Sequence, residues 1–197
     1  MILGFHFIFS AYGFWLPNDP RGSWSDTVRS FDLLRFGPAT KTGPHVRSRI
    51  RRMSTSCASP PSGRCAIPPV QFTREQARAV AGGLAQASIE RGYTVHAPAI
   101  LPDHAHLVMR YCSRHIDEIA AHLEAKATAN LTRENLHPME RFASSNGRKP
   151  SPWARNYWCP FIRSRRQMEA AIDYVRRNPA RAGLPPQRWR CVARYEG

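Results

Sequence analysis

Two histidines stand one residue apart in the stretch ILPDHAHLVM, residues 100–109. The stretch alternates like a strand, so His104, His106 and Val108 share one face while Leu107 and Met109 share the other. Residues i and i+2 of a strand lie about 6.5–7 Å apart, which allows two imidazoles to converge on one divalent cation. The alternative is a half-polar strand whose histidines face water or a neighbouring group. The pair alone does not decide between the two.

A tyrosine and an asparagine share one side of a predicted helix, RRQMEAAIDYVRRNP, at residues 165–179. Tyr174 lies two residues from Ile172 and therefore points away from the apolar stripe of that helix. Asn178 follows four residues later, on the same side as Tyr174. The helix thus presents a phenol and an amide oxygen together. A tyrosine in this position can equally be a half-buried packing residue.

The chain is strongly basic, with 29 Lys and Arg against 14 Asp and Glu and a net charge of +15. Arginine outnumbers lysine, and its planar guanidinium matches phosphate with two hydrogen bonds. A GC-rich genome can explain arginine over lysine, but not the two-to-one excess of base over acid. Residues 141–197 carry +10 of this charge, from 13 basic and three acidic residues. We therefore expect a phosphate-binding surface there, with these candidates in and just before the last helix: Arg163, Arg165, Arg166, Arg176, Arg177 and Arg181.

The remaining elements predict one domain over residues 1–197. We expect strands at 2–9, 93–101 and 104–111, a capped helix at 73–92, a helix at 115–131 and a short edge strand at 157–164 that Pro160 interrupts. A polar linker at 132–152 precedes the edge strand. The order predicts a ferredoxin-like α+β fold, an antiparallel sheet with helices on one face, followed by a C-terminal helix that carries Tyr174.

A long insertion at about residues 33–72 interrupts this pattern. Between Leu33 and Thr73 there are seven basic residues, six prolines and no acid. Such a segment buries little apolar surface, so we expect a basic loop. Its RSRIRR run at 47–52 can bind phosphate or remain solvated.

Two further features narrow the class of protein. The five cysteines include no CxxC pair, which supports neither a zinc knuckle nor a disulfide framework. The apolar N-terminal stretch lacks a basic region and a small-residue cleavage site, and it is too short to span a membrane. We therefore expect a cytoplasmic protein without a membrane partner.

Three stretches in order, LPDHAHLV, SPWARNYW and IDYVRRNPARAGLP, resemble the single-tyrosine HUH transposases, and especially the REP-associated tyrosine transposases. The early AYGFWLPNDPRGSW is also similar to members of this group. The 33–72 insertion has no counterpart in a minimal member. Trp153-Ala154 with Tyr157 departs from the family's frequent Trp-Gln pattern, a change that concerns packing more than chemistry.

The resemblance implies an HUH endonuclease fold and a role for each candidate residue. His104 and His106 would bind Mg²⁺ or Mn²⁺, Asn178 would be a weak third ligand, and Tyr174 would be the nucleophile. The substrate would be single-stranded or hairpin DNA, bound by a monomer or a homodimer. Attack on a phosphate would give a 5′-phosphotyrosine and a free 3′-hydroxyl, and a second 3′-hydroxyl would reverse the step. Tyrosine suits this chemistry because its phenolate, with a parent pKa of about 10, is both nucleophile and leaving group.

Other functions share parts of this pattern of residues. A metallo-β-lactamase-type hydrolase needs His-x-His-x-Asp-His, and Val108 and Met109 occupy the last two positions. A relaxase or replication initiator shares the tyrosine chemistry and stays open. So does a domesticated protein that holds hairpin DNA without cutting it. One or two of the tryptophans could stack on unpaired bases, the candidates being Trp15, Trp24, Trp153, Trp158 and Trp189.

Overall fold

The computed structural model describes residues 1–14 and 67–197. The strands are β1 (Gly4–Ala11), β2 (Val95–Ile100), β3 (His104–Arg110), β4 (Trp153–Trp158) and β5 (Phe161–Ile162). The helices are α1 (Arg74–Arg91), α2 (Ile116–Arg133) and α3 (Arg165–Arg181), with a 3₁₀ turn at Glu140–Phe142. The RSRIRR run, Trp15, Trp24 and most of the predicted insertion lie outside the described residues.

The strands form one antiparallel sheet in the order β2-β3-β1-β4, and β5 also pairs with β1. The predicted α+β antiparallel fold is therefore confirmed. One face of the sheet, which includes Phe7 of β1 and Leu107 of β3, packs against α1 and α2. The opposite face, which includes Val108, packs against α3. The two predicted central helices share one face, and the C-terminal helix covers the other.

Helix α1 begins and ends as its sequence predicts. Thr73 accepts a hydrogen bond from the backbone N–H of Gln76, and the Gln76 side chain accepts one from the backbone N–H of Thr73. Gly92 ends the helix at φ 67°, a left-handed conformation that glycine adopts without a steric penalty. Glycine in the middle of the helix has a packing reason, since a Cβ on Gly83 would lie 2.5 Å from the Cα of Ala127 in α2.

The predicted bounds of the edge strand were wrong. The edge strand begins at Trp153 rather than 157, and it is divided into β4 and β5 around Cys159-Pro160, because Pro160 has no N–H to donate to β1. Residues 67–73, the described end of the predicted loop, contain no helix or strand. Val70 and Phe72 are buried, and their N–H groups donate to the carbonyls of Tyr12 and Pro102, each at 2.8 Å. These two apolar side chains join the core and order the chain before α1.

The outer edge of β2 is covered by the chain that follows α3. The N–H of Ile100 donates to Oε1 of Gln187 at 2.9 Å, and Nε2 of Gln187 donates to the carbonyl of Ile100 at 2.7 Å. At the other end of β2, the N–H of Ala193 donates to the carbonyl of Val95 at 2.7 Å. No helix in the described part of the chain is long and apolar enough to cross a membrane.

One carboxyl group on α2 lies in surroundings that disfavour its charge. Glu124 lines an open groove with Thr128 and Trp153, and burial raises the pKa of its carboxyl from 4.5 to about 8. Between pH 4.5 and about 8, the Glu124 carboxyl is protonated in the folded chain and ionised in the unfolded chain. The free energy of unfolding therefore falls as the pH rises through this window.

We expect the variant Glu124→Gln to lose this part of the pH dependence. The neutral amide keeps the shape of the protonated carboxyl but does not titrate. Loss of one titrating group changes the slope of the free energy of unfolding against pH by at most about 1.4 kcal/mol per pH unit. Denaturant unfolding of both proteins at several pH values between about 5 and 8 measures it. Parallel curves for the two proteins would contradict the assignment.

Candidate active site

The His-x-His pair lies at the start of β3, directly after a tight turn. The N–H of Leu101 donates to the carbonyl of His104 at 2.8 Å and closes that turn. Nδ1 of His104 lies 2.7 Å from Oδ1 of Asp103, which fixes the orientation of the His104 ring. The hydrogen bond from His104 is also the main reason that the pKa of the Asp103 carboxyl lies below its ordinary value. A carboxylate accepts only, so Nδ1 of His104 carries the proton.

The two histidine rings converge as the strand alternation predicts. Nε2 of His104 and Nε2 of His106 are 3.0 Å apart, and the rings meet edge to face at 84°. His106 is 2% exposed, whereas 22% of the His104 side chain is open to solvent. One end of the pair is therefore held in the protein and the other end can be reached from outside.

A third histidine, which the sequence analysis missed, lies behind the pair. Nε2 of His6, in the middle of β1, is 3.0 Å from Nδ1 of His106. His6 is fully buried on the α3 face of the sheet, because β1 pairs with β3 so that His6 lies opposite Val108 and Ile8 lies opposite His106. The available signal was a single polar residue inside the apolar run GFHFIF.

Both buried rings are neutral at physiological pH. Burial, with a smaller contribution from the nearby His104, lowers the pKa of His6 to about 3. Burial is also the main cause that places the pKa of His106 well below 6.5, followed by the charges of His104 and His6. A neutral imidazole is the form that binds a metal ion, since the lone pair must be available.

The proton positions determine what the pair can bind. Nε2 of His104 is a bare acceptor when Nδ1 donates to Asp103. Without a cation, Nε2 of His106 carries a proton and donates it in a hydrogen bond to Nε2 of His104. If His106 instead donates from Nδ1 to His6, two bare nitrogens face each other at 3.0 Å, and a cation is needed between them. That separation fits two nitrogens at right angles about 2.1 Å from one ion. The same separation fits either a hydrogen bond between the two rings or a divalent cation held by both.

Helix α3 brings Tyr174 to this cluster. The Tyr174 ring meets the His106 ring edge to face, with centroids 5.5 Å apart, and the His6 ring at 6.2 Å. The guanidinium of Arg181, two turns later on the same side of the helix, lies 5.7 Å from the Tyr174 ring centroid. A phenol, three imidazoles and a guanidinium thus lie in one cluster between β1, β3 and α3.

Asn178 lies one turn after Tyr174 and is buried, 8% exposed. Its Nδ2 has no hydrogen-bond partner among the described residues. In this arrangement no hydrogen bond joins Asn178 to His104 or His106. Within residues 1–14 and 67–197, no group of three or more His, Cys, Asp or Glu side chains could hold a metal ion. The structure therefore brings His104, His106 and Tyr174 together and leaves the third ligand unassigned.

The six predicted DNA-binding arginines are all exposed; Arg163 precedes α3, and the other five lie on different sides of it. Arg177 and Arg181 follow Tyr174 by three and seven residues and share its side of the helix. Arg165 and Arg176 lie on the other edge of the buried stripe, where both line a shallow cavity. Arg165 contacts Glu169 at 3.0 Å, and Arg177 contacts Asp173 at 3.5 Å. These exposed pairs are weak, so the guanidinium groups stay available to a stronger anion.

The tryptophans in the described residues differ in accessibility. Trp153 is buried, 4% exposed, and its indole N–H donates to Oγ1 of Thr128, which makes it a packing residue. Trp158 and Trp189 are half-buried. Trp189 lines two cavities beside β2.

Comparisons with known proteins give similar solved structures but no sequence match. No family model matches the chain, and no curated protein sequence matches it. Among solved structures, a REP-associated tyrosine transposase bound to a REP hairpin has a similar fold, at 12% sequence identity and a TM-score of 0.49. The match covers 93% of this chain and 70% of that one. A similarity at this level does not assign a function.

Proposed function

We propose that this chain is a metal-dependent endonuclease and strand transferase for single-stranded, hairpin-bearing DNA, with Tyr174 as its nucleophile. One observation carries the proposal: the Nε2 atoms of His104 and His106 lie 3.0 Å apart, with the Tyr174 ring 5.5 Å from that of His106. Two imidazoles beside a tyrosine combine a cation site with a group that can form an ester with phosphate.

The cation would be held by His104 and His106, with Asn178 as the proposed third contact. Asp103 and His6 would act on the two ligands from behind, since each contacts the Nδ1 atom of one ring. Such partners orient a metal-binding histidine and fix the position of its proton. Mg²⁺ or Mn²⁺, when bound, supplies positive charge at a non-bridging phosphate oxygen.

In the proposed reaction, Oη of Tyr174 attacks the phosphorus of a phosphodiester. A bond forms between phosphorus and Oη, the bond between phosphorus and the 3′-oxygen breaks, and the phenolic proton passes to solvent. The departing 3′-oxygen takes up a proton. The products are a 5′-phosphotyrosine and a 3′-hydroxyl, and a second 3′-hydroxyl reverses the step. Arg181, beside the Tyr174 ring, would stabilise the developing phenolate and the phosphate.

The charge distribution supports a nucleic-acid partner. Arg177 and Arg181 would contact phosphates next to the nucleophile, while Arg163, Arg165, Arg166 and Arg176 would extend the path along and around α3. Binding that depends on so many arginines weakens steeply as the salt concentration rises. Either a monomer or a homodimer could present this surface.

A non-cleaving hairpin-DNA-binding protein is the second candidate. It is favoured because, among the described residues, no group of three or more His, Cys, Asp or Glu side chains could hold a metal ion. A relaxase or replication initiator would share the covalent chemistry and differ in its substrate. Formation of a covalent adduct with DNA would distinguish the proposed nuclease from the non-cleaving DNA-binding protein.

We expect the protein to form a covalent adduct with labelled single-stranded hairpin DNA in the presence of Mg²⁺ or Mn²⁺. DNA from the flanks of its own gene is the substrate to use. Tyr174→Phe removes the nucleophilic oxygen and His106→Ala removes a cation ligand, so both should abolish the adduct. Denaturing gel electrophoresis measures it, with Tyr111→Phe as the control because Tyr111 is an exposed phenol that contacts Phe5, away from the histidines. Hairpin binding without an adduct under either metal would leave a DNA-binding protein.

We expect His6 to control the affinity of the site for Mn²⁺. His6→Phe keeps a buried ring but leaves Nδ1 of His106 without its partner, which should weaken binding by roughly 10–100-fold. His6→Gln places an amide oxygen where that partner was and should restore part of the affinity. Calorimetric titration of the metal-free protein measures both. His122→Gln, on the opposite layer beside Glu90, is the control. Equal affinities in all four proteins would exclude this role for His6.

A further inference from the structure

Ser10, near the end of β1, lies in the layer of the sheet that holds the proposed active site. β1 pairs with β3 so that Ser10 lies directly opposite His104. Its neighbours Phe9 and Ala11 belong to the core under α1 and α2. Because side chains alternate along a strand, the Ser10 side chain lies on the other face, which it shares with His104 and His6. The chain thus places a hydroxyl group beside the first histidine of the pair.

The Ser10 hydroxyl is buried and lacks a hydrogen bond. The residue is 4% exposed, yet no described residue forms a hydrogen bond with its hydroxyl. Buried hydroxyl groups in proteins are nearly always paired, with the protein, with water or with a bound molecule. Oγ of Ser10 is not one of the unpaired polar atoms that the described chain closes off completely, such as Nε2 of His96, so a molecule in the active site can reach it. A buried, unpaired and accessible hydroxyl points to a ligand.

The position of Ser10 decides what its hydroxyl can contact. Residues opposite each other in an antiparallel pair have Cβ atoms about 4.5–5.5 Å apart. The serine oxygen is one bond beyond Cβ, whereas Nε2 of His104 lies at the far tip of its ring. A cation held by the Nε2 atoms of His104 and His106 lies about 2.1 Å from each ligand, a distance too short to include the Ser10 oxygen. The hydroxyl therefore suits a group bound to the cation rather than the cation itself.

We propose that Oγ of Ser10 donates a hydrogen bond to a non-bridging oxygen of the phosphate that Tyr174 attacks. The inference rests on the proposed function. A phosphate held by the cation extends beyond the histidine tips and comes within reach of a hydroxyl on β1. Its non-bridging oxygens carry negative charge during the attack, and a fixed donor beside them stabilises the transition state. Ser10 keeps its proton, and no covalent bond to it forms or breaks.

The surroundings of Ser10 favour this role. β1 is paired on both sides, with β3 and with β4 and β5, so the hydroxyl is held on a rigid strand. Arg181, beside the Tyr174 ring, brings positive charge to the site from α3. A hydroxyl adds a donor without adding a charge that would repel the cation. The helix thus contributes charge to the phosphate, and the sheet contributes a fixed neutral donor.

The test compares Ser10→Ala with the wild type in adduct formation on single-stranded hairpin DNA with Mn²⁺. Loss of a hydrogen bond to a charged group should slow the reaction roughly 10–100-fold. Ser10→Cys donates only weakly and should share this defect, whereas Ser10→Thr keeps the hydroxyl and should retain most of the rate. Ser88→Ala is the matched control, because Ser88 is a buried serine of α1 whose hydroxyl donates to the carbonyl of Leu84.

Phosphorothioate substrates identify the atom that accepts from Ser10. Sulfur accepts a hydrogen bond weakly, so replacing the accepting oxygen of the scissile phosphate removes the contact in the wild type as well. The two diastereomers carry sulfur at one or the other non-bridging position. We expect the Ser10→Ala defect to shrink to about twofold or less with one diastereomer and to stay roughly 10–100-fold with the other.

Two binding measurements separate this role from a structural one. Calorimetric titration of Mn²⁺ into the DNA-free protein should give the same affinity for the wild type and Ser10→Ala, because Ser10 is not a cation ligand. Fluorescence anisotropy should give nearly the same hairpin affinity, because most of that affinity comes from arginines. Thermal unfolding shows whether each variant folds. A loss of Mn²⁺ affinity in folded Ser10→Ala would overturn the phosphate contact.

The outcomes distinguish this inference from the proposed function. Adduct formation at the wild-type rate in Ser10→Ala would overturn the role of Ser10 and leave the nuclease standing. An equal Ser10→Ala defect with both diastereomers would do the same. A defect that disappears with one diastereomer, at unchanged Mn²⁺ affinity, would support the contact. Absence of an adduct in the wild type would overturn the proposed function and the contact with it.

Discussion

The antiparallel pairing of β1 with β3 sets the positions of the three histidines at the site relative to one another. With Ile8 opposite His106, His6 becomes the diagonal neighbour of His106 on the face that α3 covers. Because side chains alternate along a strand, a slip by one residue would turn His6 into the layer of Phe5, Phe7 and Phe9. These phenylalanines resist such a slip, since they are almost completely buried under α1 and α2. The hydrophobic layer on one face thus aligns the histidines on the other.

Local signals in the sequence predicted the parts of the fold that depend on neighbours in the chain. The alternation around His104 and His106, the Thr73 cap and the Gly92 end of α1 involve residues a few positions apart. His6 could not be found in this way, because its contact with His106 spans 100 positions and depends on strand register. The start of β4 at Trp153 was missed for a related reason. That edge strand is ordered by pairing with β1, not by an apolar pattern of its own.

Helix α3 joins most of the chemistry of the molecule. Its buried stripe packs on β2 and β3, which brings Tyr174 to the histidines along one edge of the stripe. Arg165 and Arg176 stand along the other edge, and Arg176 also lines a cavity beside His96. The sequence predicted the helix and the charges on it. It could not show that one edge faces the histidines and the other faces cavities formed with the C-terminal segment, because that segment has no periodic pattern.

The amide of Gln187 has a consequence beyond the fold of a single chain. An outermost strand offers a row of free N–H and C=O groups on which another molecule can add a strand, a common route to aggregation. Gln187 occupies both backbone groups of Ile100, and Ala193 occupies the carbonyl of Val95, so β2 is blocked near each end. A side chain here takes the place of a neighbouring strand, so these backbone groups are not available to a strand from another copy of the protein.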